Sequence, residues 1–123
     1  MSRSSILNVT FDCADAEVMA RFWSEVTRWP RTKVEMPGNP FWWVGPDRDA
    51  YPHLVFVEVP EPKHTKNRVH LDLLPHDEPQ DQEVARLESL GARVVDDRRG
   101  ANPGGWVVMA DIEGNEFCVE SSN

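Results

Sequence analysis

Near the start of the chain, Leu7, Val9 and Phe11 alternate with Asn8, Thr10 and Asp12, the two-residue period of a half-buried β-strand. The period then changes. Val18, Met19, Phe22, Trp23 and Val26 recur three and four residues apart behind Asp15, a side chain suited to capping a helix, and the pattern breaks near Pro30. Short strands are expected over 33–36 and 41–45, split by the turn signal Pro37-Gly38-Asn39, and His53 to Val59 reads as a fourth strand. Residues 60–67 carry Pro60 and Pro62 among polar neighbours, cannot continue a central ladder, and read as a linker. Beyond them the order restarts. Arg68 to Leu74 alternates as a strand, Gln80 to Leu90 is helical with Gly91 closing it, and Arg93 to Asp96 begins another strand. Trp106 to Ala110 and Glu116 to Glu120 are the last two strands, joined by the hairpin-like turn Asp111 to Asn115.

Each half therefore reads strand, helix, strand, strand, strand. Val9-Thr10-Phe11-Asp12 is echoed 60 positions later by Val69-His70-Leu71-Asp72, each just ahead of a helix. The expectation is an α+β chain forming one domain over 1–123, with module one at about 5–59, the linker at 60–67 and module two at about 68–121.

Composition narrows the partners. A length of 123 residues, 40% of them apolar and 28% charged, suits one packed domain rather than a disordered chain. The 21 acidic against 13 basic side chains leave a net charge of −8, which repels nucleic-acid phosphates and anionic lipid surfaces. No stretch approaches the roughly 20 apolar residues of a membrane span, and Met1 to Leu7 lack the apolar region of a secretion signal, so a cytoplasmic location is expected. Two cysteines, Cys13 and Cys118, are too few for a disulfide framework and are read as thiols.

Alternation also sorts the candidate chemistry, because residues two apart on a strand share a face. Leu7, Val9, Phe11, then Val69, Leu71, Leu73, then Phe117 and Val119 form apolar sets that should pack under the helices. The opposite faces carry Asn8, Thr10 and Asp12, then His70 and Asp72, then Glu116, Cys118 and Glu120. On the fourth strand Leu54, Phe56 and Glu58 oppose Val55, Val57 and Val59, and Glu58 is expected to join the polar set. Carboxylates, imidazole and thiol converging from several strands could hold a divalent metal ion where three or four donors meet at about 2.0–2.3 Å.

Five tryptophans are the second feature. Trp42 and Trp43 are consecutive and must point to opposite faces, so one is available to stack on a planar ligand; Trp106 and Phe56 are further apolar candidates. Lys63, Lys66 and Arg68 make a basic cluster near His70 that could attract a carboxylate or phosphate. Phosphate-binding glycine loops, nucleophile elbows and zinc-finger spacings do not occur in the sequence.

The doubled element order, together with Val59-Pro60-Glu61-Pro62-Lys63, Lys66-Asn67-Arg68-Val69-His70-Leu71-Asp72 and Asp111-Ile112-Glu113-Gly114-Asn115-Glu116-Phe117, resembles the vicinal-oxygen-chelate superfamily, in its branch of small glyoxalase-like proteins. The resemblance implies two βαβββ modules curving into an incomplete barrel around a cavity, with helices outside, commonly as a homodimer. Metal-dependent members place ligands on the first, fourth, fifth and eighth strands, which match Asn8 (or Thr10), Glu58, His70 and Cys118 here. Asn8 and Cys118 depart from the usual ligand types. Two readings follow. In the first, the chain binds a small molecule in a cavity on the concave sheet face without a complete glyoxalase metal set, using Asn8, Thr10, Trp42, Trp43, Phe56, Arg68, Trp106 and Cys118. In the second, it is a metal-assisted lyase, isomerase or dioxygenase-like enzyme in which Glu58 and His70 hold the metal or one of them removes a proton beside a carbonyl.

Overall fold

A computed structural model describes residues 2–100 and 104–121. The chain divides into two compact units, Met1–Pro62 and Lys63–Asn123. The first contains strand β1 (Asn8–Cys13), helix α1 (Ala16–Thr27) and strands β2 (Arg31–Val34), β3 (Phe41–Val44) and β4 (His53–Glu58). The second contains β5 (Asp72–Leu73), α2 (Gln80–Ser89), β6 (Arg93–Asp97), β7 (Val107–Ala110) and β8 (Glu116–Val119). Each unit is a βαβββ module with one four-stranded sheet, ordered β1-β4-β3-β2 and β5-β8-β7-β6, and neither sheet closes on itself.

In the first unit the capping residue does what its chemistry suggests. Asp15 adopts an extended backbone and its carboxylate accepts the Val18 N–H, satisfying one of the donors that the first helical turn leaves open. The helix stops at Arg28, which takes the left-handed conformation at φ 61°. Its apolar stripe, Met19, Ala20, Phe22, Trp23 and Val26, is buried, and Trp23 meets Phe11 of β1 with ring centroids 5.7 Å apart. Phe11 in turn lies 5.0 Å from Phe56 of β4, its partner in the parallel β1–β4 ladder. This is the core of the unit.

The second unit buries Val84 and Leu87 of α2 together with Val107, Met109, Phe117 and Val119 of β7 and β8. The start of α2 is pinned by Gln80, whose amide donates to the carbonyls of Gly105 and Val119. Leu90 ends the helix, and Gly91 follows at φ +112°, a conformation an L side chain rarely adopts; an added Cβ would also meet Ile112 at 2.9 Å. The hairpin turn between β7 and β8 is organised by Asp111, 3% exposed, whose carboxylate accepts the backbone N–H of Glu113 and Asn115 and the Asn115 amide.

Two expectations are corrected. The strand placed over 33–36 forms two residues earlier, at Arg31–Val34. The strand placed over Arg68–Leu74 joins the ladder only at Asp72–Leu73, and Val69, assigned to the packed face, is 73% exposed. The reason is that residues 63–67 are held elsewhere: Glu116 accepts the Asn67 N–H at 3.0 Å and pairs with Lys63 at 3.0 Å, so the approach to β5 follows these side-chain bonds rather than a backbone ladder. Among the described residues, no helix is long and apolar enough to cross a membrane.

Candidate functional site

Ladder register assigns every strand residue of the first unit to a face. Phe11 pairs with Phe56 and Cys13 with Glu58, while Trp42 pairs with Phe56 and Val44 with Leu54. Paired residues project to the same side, so Phe56, Glu58 and Trp42 lie on the side that α1 covers. Phe56 is 0% exposed, a core residue rather than a ligand contact. Glu58 reaches the N-terminus of α1, where its Oε2 accepts the Ala16 N–H at 3.1 Å. An anionic acceptor suits that position, because the first-turn N–H groups point outward and the helix dipole is positive there. The parity expectation that put Glu58 on the polar face is thereby corrected. Phe56 and Glu58 do share a face, but it is the helical one, which only the pairing with β1 reveals.

The opposite face is built from Asn8, Thr10 and Asp12 of β1, His53, Val55 and Val57 of β4, and Trp43 of β3, with Asn8 beside His53, Thr10 beside Val55, and Val55 beside Trp43. Asn8 and Thr10 are both exposed and both on this side. His53, which sequence reasoning passed over, is its most constrained member. Its ring is 8% exposed and stacks on the Trp43 indole at 4.5 Å with 14° between the planes; Tyr51 lies 5.0 Å away. Nε2 sits 2.8 Å from the Asp47 carbonyl oxygen, a contact that fits a proton on that nitrogen. Gly45 makes this packing possible, because a Cβ there would come within 2.5 Å of the His53 ring carbon Cδ2. A glycine one residue beyond the Phe-Trp-Trp-Val strand, followed by a lone histidine opening the next strand, was the available signal.

In the second unit the same logic places Asp72 beside Cys118, Cys118 beside Val108, and Glu116 beside Ala110 on one face, with Val107, Met109, Phe117 and Val119 on the other. His70 precedes β5, and its ring nitrogen, an Asp72 carboxylate oxygen and the Cys118 sulfur all lie within 4.8 Å of one another. Lys66 places its ammonium 3.0 Å from His70 Nε2. Cys118 is 8% exposed, and burial pushes its thiol pKa up, with the Asp72 and Glu120 carboxylates adding to the rise. Glu116 shows the opposite outcome. Burial works against its charge, but the Asn67 N–H and the Lys63 ammonium outweigh it and hold the carboxyl below its ordinary range.

Of the basic cluster, Lys63 is engaged with Glu116 and Lys66 with His70, while Arg68 stands exposed. Trp106, 42% exposed, lies just ahead of β7, and strand alternation continues it on the side of Val108 and Cys118.

Two of the positions matched to metal ligands by the resemblance lie in the first unit. Its fourth-strand position is Glu58, whose carboxylate is bonded to the helix N-terminus on the core side of its sheet, and its first-strand position offers a neutral amide or hydroxyl.

A family model described as a glyoxalase-like domain matches residues 8–120. The chain belongs to the glyoxalase-like family. Solved structures agree on the fold. The trypanothione-dependent glyoxalase I of Leishmania major superposes with a TM-score of 0.74 at 14% identity, covering 98% of this chain and 88% of that one. A manganese-complexed E126Q mutant of the fosfomycin resistance protein FosX from Listeria monocytogenes gives 0.71 at 14% identity, covering 100% and 93%. The antibiotic-binding protein TnmS3 from Streptomyces sp. CB03234 gives 0.69 at 20% identity, covering 98% and 97%. No curated protein matches the sequence.

Proposed function

We propose that this glyoxalase-like protein binds a small, planar organic molecule on the polar face of its first sheet and lacks a complete glyoxalase metal set. One observation carries the reading: Trp43 of β3 stands on the face away from α1, stacked on the buried His53 of β4, and on the far side of β4 the next strand, β1, presents Asn8 and Thr10. A pre-ordered indole bordered by hydrogen-bonding side chains is the composition small-molecule sites use, since the aromatic supplies area and a few polar groups fix orientation. A neighbour of the same fold described as an antibiotic-binding protein lends the reading support. Against the enzyme reading that used Glu58 as a ligand or base stands the bond its carboxylate already makes to the Ala16 N–H. On this reading the protein also works as a homodimer, which light scattering would report as twice the chain mass.

The test is a fluorescence titration with planar heteroaromatic compounds such as quinoline and acridine, comparing Trp43→Ala with Trp42→Ala. Saturable quenching that is lost in Trp43→Ala and kept in Trp42→Ala is expected. Equal quenching in both variants would defeat the proposal.

A further inference from the structure

Resting on the stacking of a ligand against Trp43, we propose that this ligand is a planar cation and that the carboxylate of Asp12 selects its charge. The register lays out the face away from α1 in rows. Thr32 pairs with Trp43 and Trp43 with Val55; one row further along the strands, Val34 pairs with Phe41 and Val57 with Asp12. Continuing the β3–β4 register sets Phe41 opposite Val57, so that Phe41, Val57 and Asp12 form the row next to Trp43.

The stack has a direction. The His53 ring lies against Gly45, two residues from Trp43 along the chain, where a Cβ would come within 2.5 Å of it. One face of the indole is therefore closed by the imidazole at 4.5 Å. The other looks the opposite way along β3, toward the row of Phe41, Val57 and Asp12. Phe41 and Val57 are half-buried there, and Asp12 is exposed. Asp12 stands two strands across from β3, about 10 Å at the usual strand spacing. A fused ring system laid over Val57, with one end against the free face of the indole, brings its other end to the carboxylate.

Charge on this face points one way. Besides His53, whose Nε2 already meets the Asp47 carbonyl, Asp12 is the one titratable residue among the described strand positions on this side. Its carboxylate has no hydrogen-bond or ion-pair partner among the described residues. The strand cations are turned away: Arg31 pairs with Val44 and Lys33 with Trp42, which puts both on the α1 side, and Lys33 is bonded to Glu35 at 3.0 Å. A carboxylate only accepts, and the face of an indole is electronegative, so both ends of this strip favour positive charge on the ligand. The net charge of −8 adds a long-range pull of the same sign.

The experiment is isothermal titration calorimetry with quinoline and N-methylquinolinium, which share a ring system and differ in permanent charge, at a mildly alkaline pH where quinoline is neutral. Wild type, Asp12→Asn and Trp43→Ala are compared, with circular dichroism establishing that each is folded. A cation–indole contact and an exposed carboxylate contact are each worth about two- to fivefold in affinity, so wild type should bind N-methylquinolinium about tenfold more tightly than quinoline. Asp12→Asn should reduce that preference to about threefold or less while holding the quinoline affinity within about twofold. Added salt should shrink the preference in wild type and leave it unchanged in Asp12→Asn. Equal affinity of wild type for the two compounds, or a preference that Asp12→Asn leaves intact, overturns the selection by charge and leaves the stacking on Trp43 standing. Binding of neither compound, or binding that Trp43→Ala does not weaken, overturns the stacking and the charge selection together.

Discussion

Replacing Glu58 separates a structural carboxylate from a ligand. In Glu58→Ala the Ala16 N–H loses its acceptor, and the first turn of α1 loses a negative charge at its positive end. A capping-type hydrogen bond is worth about 1 kcal/mol, and a charge near a helix N-terminus adds about 0.3–1 kcal/mol. Water can reach the exposed end of this helix and replace part of the bond, so the expected cost is about 1–2 kcal/mol. Glu58→Gln keeps an acceptor and removes only the charge, for about 0.5 kcal/mol. Thermal unfolding followed by far-ultraviolet circular dichroism should show a midpoint lowered by roughly 3–6 °C per kcal/mol for a chain of this size. Added salt should shrink the Gln effect, because charge–dipole attraction is screened. Asp15→Ala, which removes the Val18 acceptor in the same turn, should cost a comparable amount. The reasoning fails if Glu58→Ala leaves the midpoint unmoved while abolishing binding of Co²⁺ or Zn²⁺, since the carboxylate would then be acting on a metal.

Other expectations follow from single contacts. Gly45→Ala should displace the His53 ring, because the new methyl would stand 2.5 Å from it; a loss of about 1–3 kcal/mol and an altered Trp43 emission should show in urea unfolding followed by fluorescence. Phe56→Ala should cost about 3–5 kcal/mol as a core truncation, and retention of wild-type stability would return Phe56 to the list of ligand contacts. Glu116 has a folded-state pKa below its unfolded value of 4.5, so its stabilisation is complete above that value and is lost as pH falls through the folded one. Glu116→Gln should therefore flatten the acid limb of stability against pH, at a neutral-pH cost of about 1.5–3 kcal/mol for charge-assisted bonds at a carboxylate whose side chain is 12% exposed; an acid limb identical to wild type would contradict the Lys63–Asn67–Glu116 arrangement.

What the sequence revealed about the fold was what local chemistry determines. The alternation of β1, the Asp15 cap, the Gly91 stop and the Asp111–Asn115 turn each depend on residues within a few positions of one another, and all formed where the pattern placed them within a residue or two. The faces of β4 depend on a partner elsewhere in the chain. Val55 and Val57 are as apolar as Leu54 and Phe56, so alternation says that two faces exist without saying which one the helix covers; Phe11 beside Phe56 settles it. The same applies to the tryptophan pair. Opposite faces were legible for Trp42 and Trp43, but only the Val55 and His53 neighbours show that Trp43 is the one away from α1. His53 escaped notice because its environment is assembled from Trp43, Gly45, Asp47 and Tyr51, none of which carries a motif. Conversely, β5 was read as longer than it is, since side-chain bonds from Glu116 to residues 63 and 67 compete with ladder pairing and leave no trace in periodicity.

The binding claim is tested most directly by fluorine NMR of protein labelled with 5-fluorotryptophan, in which five indoles give five resonances, assigned by single substitution. On adding a planar heteroaromatic compound that binds, the Trp43 resonance should shift saturably while those of Trp23, buried in the core, and Trp42, on the helical side, stay in place. Saturable shifts of Trp42 or Trp23 with Trp43 unmoved, or a Trp43 resonance that no compound in the panel perturbs, would contradict the account.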